Sequence, residues 1–148
     1  MNILIAEDNN IKLQSILDFL NDNYLEGITV KNCITPSDAI LEIKKKKYDF
    51  FILDMSLPVY VGEQQTIRSL SGKNVLLTMK HKRIKTKTVI ITQWDVFGHH
   101  GDHVSLEKLT STLLIDFSDF LLDVIFWDSS NNEWKEKLLN LIKGLEND

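Results

Sequence analysis

Cysteine is nearly absent from the 148 residues: Cys33 stands alone, which excludes an internal disulfide and fits a reducing compartment. Long hydrophobic runs are missing too, since no stretch approaches the roughly 20 apolar residues of a spanning helix. The opening "MNILIAEDNN" has no basic leader, and its short apolar run ends in acids, so no secretory signal is read. No glycine-rich loop follows that first run, which argues against a nucleotide phosphate cradle. Charge of one sign is not in excess either. Seventeen basic and 21 acidic residues leave a formal charge of -4, no footprint for nucleic acid or an anionic membrane. These absences together predict a soluble, cytoplasmic protein.

What is present is an ordinary globular composition, 43% hydrophobic and 26% charged, on a chain of a length that suits one domain spanning 1–148. Short apolar runs alternate with helical periodicity, the pattern of a parallel α/β sheet. "NILIA" (2–6), "GITVKNC" (27–33), "YDFFILD" (48–54), "KTVIIT" (87–92) and "FLLDVIFW" (120–127) read as strands. Between them Leu13, Ile16, Leu17, Leu20 and Tyr24 recur at helical spacing. Thr35-Pro36-Ser37-Asp38 reads as a helix start with its cap and first-position proline, and Lys44 to Lys47 as the solvated end of that helix. Gly62 is expected to open a third helix carrying Ile67 and Leu70, Ser105 to cap a fourth, and Trp134, Leu138, Leu141, Ile142 and Leu145 to mark a closing one. Five strands and five helices predict a single-domain, doubly wound, flavodoxin-like sheet of order 2-1-3-4-5.

Ligands of such a sheet bind beyond the carboxyl ends of its strands. The first strand ends at Glu7 and Asp8, the third at Asp54 and the fourth at Thr92. Asp54 is the puzzling one, a carboxylate closing an apolar run that reads as buried. Burial of an ionised carboxylate is costly unless it is paired, hydrogen-bonded or bound to a cation. Three carboxylates at one edge would repel one another, and a hard divalent cation with oxygen ligands, Mg2+ above all, relieves the conflict. A carboxylate beside that ion can attack a phosphoryl group, with the Thr92 hydroxyl placed to donate to a phosphoryl oxygen. Each of these residues also has a bland reading, as a helix-start acid, a turn former or a strand-end residue. Only their convergence makes a site.

"ILIAEDN", "FFILDMSLP" and "VIIT", in this order along essentially the whole chain, resemble the receiver domain of two-component response regulators. The resemblance implies that Asp54 is the phospho-acceptor and that Asp8 and Asp54 bind Mg2+, with Glu7 acting on the ion mostly through water. It also implies the main-chain carbonyl of Ser56 as a further ligand and Thr92 as the switch hydroxyl. A histidine kinase or phosphotransfer protein would supply the phosphoryl group. A downstream protein would bind the face formed by helix four, strand five and helix five. No output domain follows, so the expected product is a phospho-acceptor signalling domain rather than an enzyme, with no direct DNA binding and no membrane association.

The pattern breaks at the end of the fifth strand, where receivers carry a lysine that reaches the phosphoryl group. Here Trp127 stands at that position, and no lysine lies between Lys108 and Lys135. Val124 takes the place of the aromatic switch residue, Gln93 that of a small residue, and the stretch from Thr92 to Trp127 is longer than usual. Two outcomes stay open: an atypical phospho-acceptor, or a degenerate receiver that acts as a phosphorylation-independent interaction module. Trp127 is expected either to cover the acidic cleft or to join a partner surface, with Phe126 and Trp134 in the core. "DVFGHHGDH" (95–103) gathers His99, His100 and His103 with Asp95 and Asp102, a weak candidate for a transition-metal site in a glycine-containing loop. The basic "MKHKRIKTK" (79–87) is expected at the opposite sheet edge, remote from the acids.

Overall fold

The computed structural model describes residues 1–23, 27–62, 69–97 and 104–146. Five parallel strands, β1 (Asn2–Ala6), β2 (Thr29–Cys33), β3 (Phe50–Leu53), β4 (Thr88–Thr92) and β7 (Leu121–Phe126), form one sheet in the order β2-β1-β3-β4-β7. With β7 as the fifth strand, this is the predicted doubly wound order. The helices are α1 (Asn10–Asn23), α2 (Pro36–Lys45), α3 (Ser71–His81), α4 (Leu106–Asp116) and α5 (Glu133–Glu146).

Alternation along the strands divides the core between the two faces of the sheet. Leu4 and Ala6 of β1, Phe51 and Leu53 of β3, and Ile90 of β4 pack against Ala39 and Ile43 of α2, Val75, Leu76 and Met79 of α3, and Leu109 and Leu113 of α4. The intervening Ile3, Ile5, Phe50, Ile52, Val89 and Ile91 pack against Ile16, Phe19 and Leu20 of α1 and Trp134, Leu138 and Ile142 of α5. β1, β3 and β4 are covered on both sides, hence their unbroken apolar runs. β2 is an edge strand and leaves much of its length exposed.

Local signals act as the sequence implies at two helix starts. Thr35 accepts from the Asp38 N–H at 3.2 Å with Pro36 in the first turn, and Ser105 accepts from the Lys108 N–H at 3.2 Å. Gly62 sits in a turn with φ of +86°. Residues 63–68, Ile67 among them, over which a third helix is expected, lie outside the described residues, and α3 begins at Ser71 directly after Leu70. The start of α3 approaches the end of β3 closely: a Cβ on Gly72 would lie 2.6 Å from the Asp54 carbonyl oxygen. The Gly72 N–H donates to the Met55 carbonyl at 2.7 Å, and the Ser71 hydroxyl donates to the Leu57 carbonyl at 2.8 Å. Ser71-Gly72 therefore docks the helix onto the loop behind Asp54.

The lengthened region also differs from a plain loop. β5 (Val96–Phe97) pairs antiparallel with β6 (Val104–Ser105), and Phe97 is buried against the α4 side of the core. Phe126, expected in the core, is 42% exposed at the end of the edge strand β7, whereas Trp134 is buried as expected. No helix among the described residues is long and apolar enough to cross a membrane.

Candidate functional site

β1 and β3 are in register with Ala6 opposite Leu53, so the next residue of each strand, Glu7 and Asp54, emerges side by side at the carboxyl edge. The Asp54 N–H donates to the Ala6 carbonyl at 2.9 Å, and the Glu7 N–H to the Cys33 carbonyl at 2.9 Å, which holds both against the sheet. Carboxylate oxygens of Glu7, Asp8 and Asp54 lie within 4.8 Å of one another. Glu7 and Asp54 are buried, and Asp8 is exposed at the mouth. The three acids singled out in the sequence thus meet.

A fourth residue joins them that sequence reasoning missed. Lys12, in the first turn of α1, is 0% exposed. Its ammonium lies 2.5 Å from Glu7 Oε1 and 3.0 Å from Asp54 Oδ1, and it donates its third hydrogen bond to the Ile91 carbonyl. An ammonium has three donors, and all three are used. The buried charge of Asp54 therefore has a partner supplied by the chain itself. The signal was in the helical spacing: Lys12 lies four residues before Ile16, and the buried face of α1 is Lys12, Ile16, Phe19 and Leu20.

The turn into α1 fixes this arrangement. Glu7 Oε2 accepts from the N–H groups of Asp8 and Asn9 at 3.1 and 3.0 Å. The Asn9 side chain caps the first turn by accepting from the Lys12 N–H at 3.0 Å. Burial pushes the Glu7 carboxyl up to about 7, against the pull of the Lys12 ammonium, with the neighbouring Asp54 charge adding to the rise. Burial and the Asp54 charge also raise Asp8. Burial works against the Lys12 charge, but Asp54 and Glu7 outweigh it and hold the ammonium above the usual lysine range.

Three carboxylates against one ammonium leave two negative charges in excess when all are ionised. Hard oxygen donors, an excess of negative charge and one solvent-facing member suit a divalent cation that keeps some of its water. The residues present fit Mg2+.

Thr92, at the end of β4, is buried, and its hydroxyl accepts from the Trp94 N–H at 3.3 Å. Gln93 Oε1, beside it, is buried without a hydrogen-bond partner among the described residues. Ser56 is buried two residues past Asp54 and donates to the Ser69 carbonyl at 2.5 Å. Trp127 follows β7 directly. Its main-chain N–H donates to the Thr92 carbonyl at 2.7 Å and its indole N–H to the Ser15 hydroxyl of α1 at 2.9 Å. Its ring packs with the α1 and α5 side of the core. Residues 98–103, with His99, His100, Asp102 and His103, lie outside the described residues; the Asp95 carbonyl accepts from the Leu106 N–H at 2.8 Å. Arg83 and Ile84 lie between α3 and the start of β4, at the edge opposite the acids.

Solved structures share this fold. The signal receiver domain of a LuxO repressor protein from Vibrio parahaemolyticus superposes with a TM-score of 0.67 at 22% identity, over 97% of this chain and 88% of that one. This chain has the receiver fold of response regulators. The response regulator TrrA of Thermotoga maritima, solved in complex with Mg2+ and BeF, shares the receiver fold at a TM-score of 0.56 and 20% identity, over 97% of each chain. Among curated sequences, the Detocs response regulatory protein DtcB of Enterobacter cloacae is 28% identical over 151 aligned positions, covering 98% of this receiver-fold chain and all of that protein. No family model matches the chain.

Proposed function

We propose that this receiver-fold chain accepts a phosphoryl group on Asp54 with Mg2+ and signals through protein contacts. The observation that carries the proposal is the meeting of Glu7, Asp8 and Asp54 within 4.8 Å at the carboxyl edge of the sheet. Asp8, Asp54 and the Ser56 main-chain carbonyl would hold the ion, with Glu7 acting on it mostly through water. When bound, the ion would neutralise charge on the phosphoryl oxygens. An Asp54 carboxylate oxygen attacks phosphorus, and the bond to the donor nitrogen breaks. The electron pair leaves with that nitrogen, which takes up a proton. The Thr92 hydroxyl donates to a phosphoryl oxygen. A phosphohistidine on a histidine kinase or phosphotransfer protein is the fitting donor, and the role is that of a signalling phospho-acceptor rather than an enzyme with a substrate of its own. The downstream face is that of α4, β7 and α5, where Ile115 and Phe126 are exposed.

The phosphorylation-independent interaction module is the second reading. Trp127 at the expected lysine position favours it, because its indole N–H is committed to Ser15. Incubation with phosphoramidate and Mg2+, followed by intact-protein mass spectrometry, separates the two. A phospho-acceptor gains the mass of one phosphoryl group and loses that gain in Asp54→Asn. An interaction module gains none.

A further inference from the structure

We infer that Lys12, delivered from helix α1, is the cation that receives the phosphoryl group on Asp54, a task that no residue at the end of β7 performs. The inference rests on Asp54 as the acceptor. A phosphoryl group brings roughly 1.5 to 2 negative charges and three strong acceptor oxygens into the place of a carboxylate oxygen. In a buried site that charge needs a cation within hydrogen-bonding reach. Among the described residues, Lys12 is the sole basic side chain paired with Asp54, at 3.0 Å from the very group that reacts. It is fully buried, so its ammonium has no solvent to retreat to.

The end of β7 cannot compete. Trp127 sits there with no positive charge to offer, and its indole N–H is spent on Ser15. That contact has a further consequence. The Ser15 hydroxyl accepts from Trp127 and donates to the Lys12 carbonyl at 2.8 Å, so Trp127 braces the turn of α1 that bears Lys12. The strand that lacks the cation thus helps to position the helix that has it.

The chemistry requires little movement. Attack by one Asp54 oxygen forms the oxygen–phosphorus bond, the donor nitrogen leaves with the old bonding pair, and that nitrogen is protonated. Lys12 keeps its proton throughout. An ammonium is a compact charge with three rotatable donors. It can stay on Glu7 and Ile91 while its third hydrogen bond passes from Asp54 Oδ1 to a phosphoryl oxygen.

Beryllium fluoride with Mg2+ serves as the phosphoryl mimic, read by tryptophan fluorescence in the whole chain. Wild type is expected to bind it, and Lys12→Met to bind it roughly ten- to a hundredfold more weakly, the loss of one charge-assisted hydrogen bond. Mg2+ alone should still raise the melting temperature of Lys12→Met, which a merely unfolded or distorted variant would not show. A second measurement uses wild type only: the Lys12 side-chain ammonium resonance should shift on adding beryllium fluoride to the Mg2+-loaded protein. Equal affinity of wild type and Lys12→Met, or an unmoved Lys12 resonance with the mimic bound, overturns the role of Lys12 and leaves Asp54 as acceptor. Failure of wild type to bind the mimic overturns both.

Discussion

Replacing Lys12 by alanine would strand the Glu7 and Asp54 carboxylates in a buried site without their shared ammonium, a change that costs about 3–5 kcal/mol where one partner of a buried pair is removed. Chemical denaturation of the metal-free protein should show that loss, and a Lys12→Ala variant as stable as wild type would refute the pairing. Asp54→Asn is expected to be far milder, because Lys12 keeps Glu7 at 2.5 Å and the Ile91 carbonyl. Cys33 gives an independent residue-level check. Burial, then the charges of Glu42 and Asp38, push its thiol up, so a smaller share of it is thiolate than in a free cysteine. The thiolate is the reactive form, so alkylation should run roughly tenfold or more slowly than in denaturant. At this scale the meeting of Glu7, Asp8 and Asp54 was readable because they follow short apolar runs whose strand character is unambiguous. Lys12 was not, because lysine is read as solvent-facing by default. Only its spacing to Ile16 and Leu20 betrays a place on the apolar stripe.

Two short elements hold the site in shape, and each is open to a single substitution. At the start of α1, Asn9→Ala removes the acceptor of the Lys12 N–H and should cost about 1 kcal/mol, seen as a lower denaturation midpoint. At the start of α3, Gly72→Ala places a methyl 2.6 Å from the Asp54 carbonyl oxygen, with Met55 Cα at 2.9 Å. The backbone must shift, so a loss of about 1–3 kcal/mol is expected, together with weaker Mg2+ binding because the displaced loop carries Asp54 and Ser56. Unchanged stability and Mg2+ affinity would show that the close approach has no such role. The start of α3 escaped the sequence because Ser-Gly reads as a breaker, whereas here the missing side chain permits docking. β5 and β6 escaped because two-residue strands carry no periodicity. The caps at Thr35 and Ser105 were readable because their chemistry is local.

Across the whole molecule, the order β2-β1-β3-β4-β7 follows from alternation of apolar runs with amphipathic segments, and it brings the ends of β1 and β3 together. That one adjacency brings Asp54 beside Glu7 and Asp8, two neighbouring residues far from it along the chain. It also accounts for what the sequence could not show: the sheet order identifies which strand ends meet, but not which helix sends a side chain among them. The most direct test is reduction of the phosphoramidate-treated protein with borohydride, which converts an aspartyl phosphate to homoserine, followed by peptide mapping. Homoserine at residue 54, dependent on Mg2+ and absent from Asp54→Asn, is the predicted result. An unaltered Asp54 in protein treated with Mg2+ and phosphoramidate, or homoserine at another aspartate, would contradict the account.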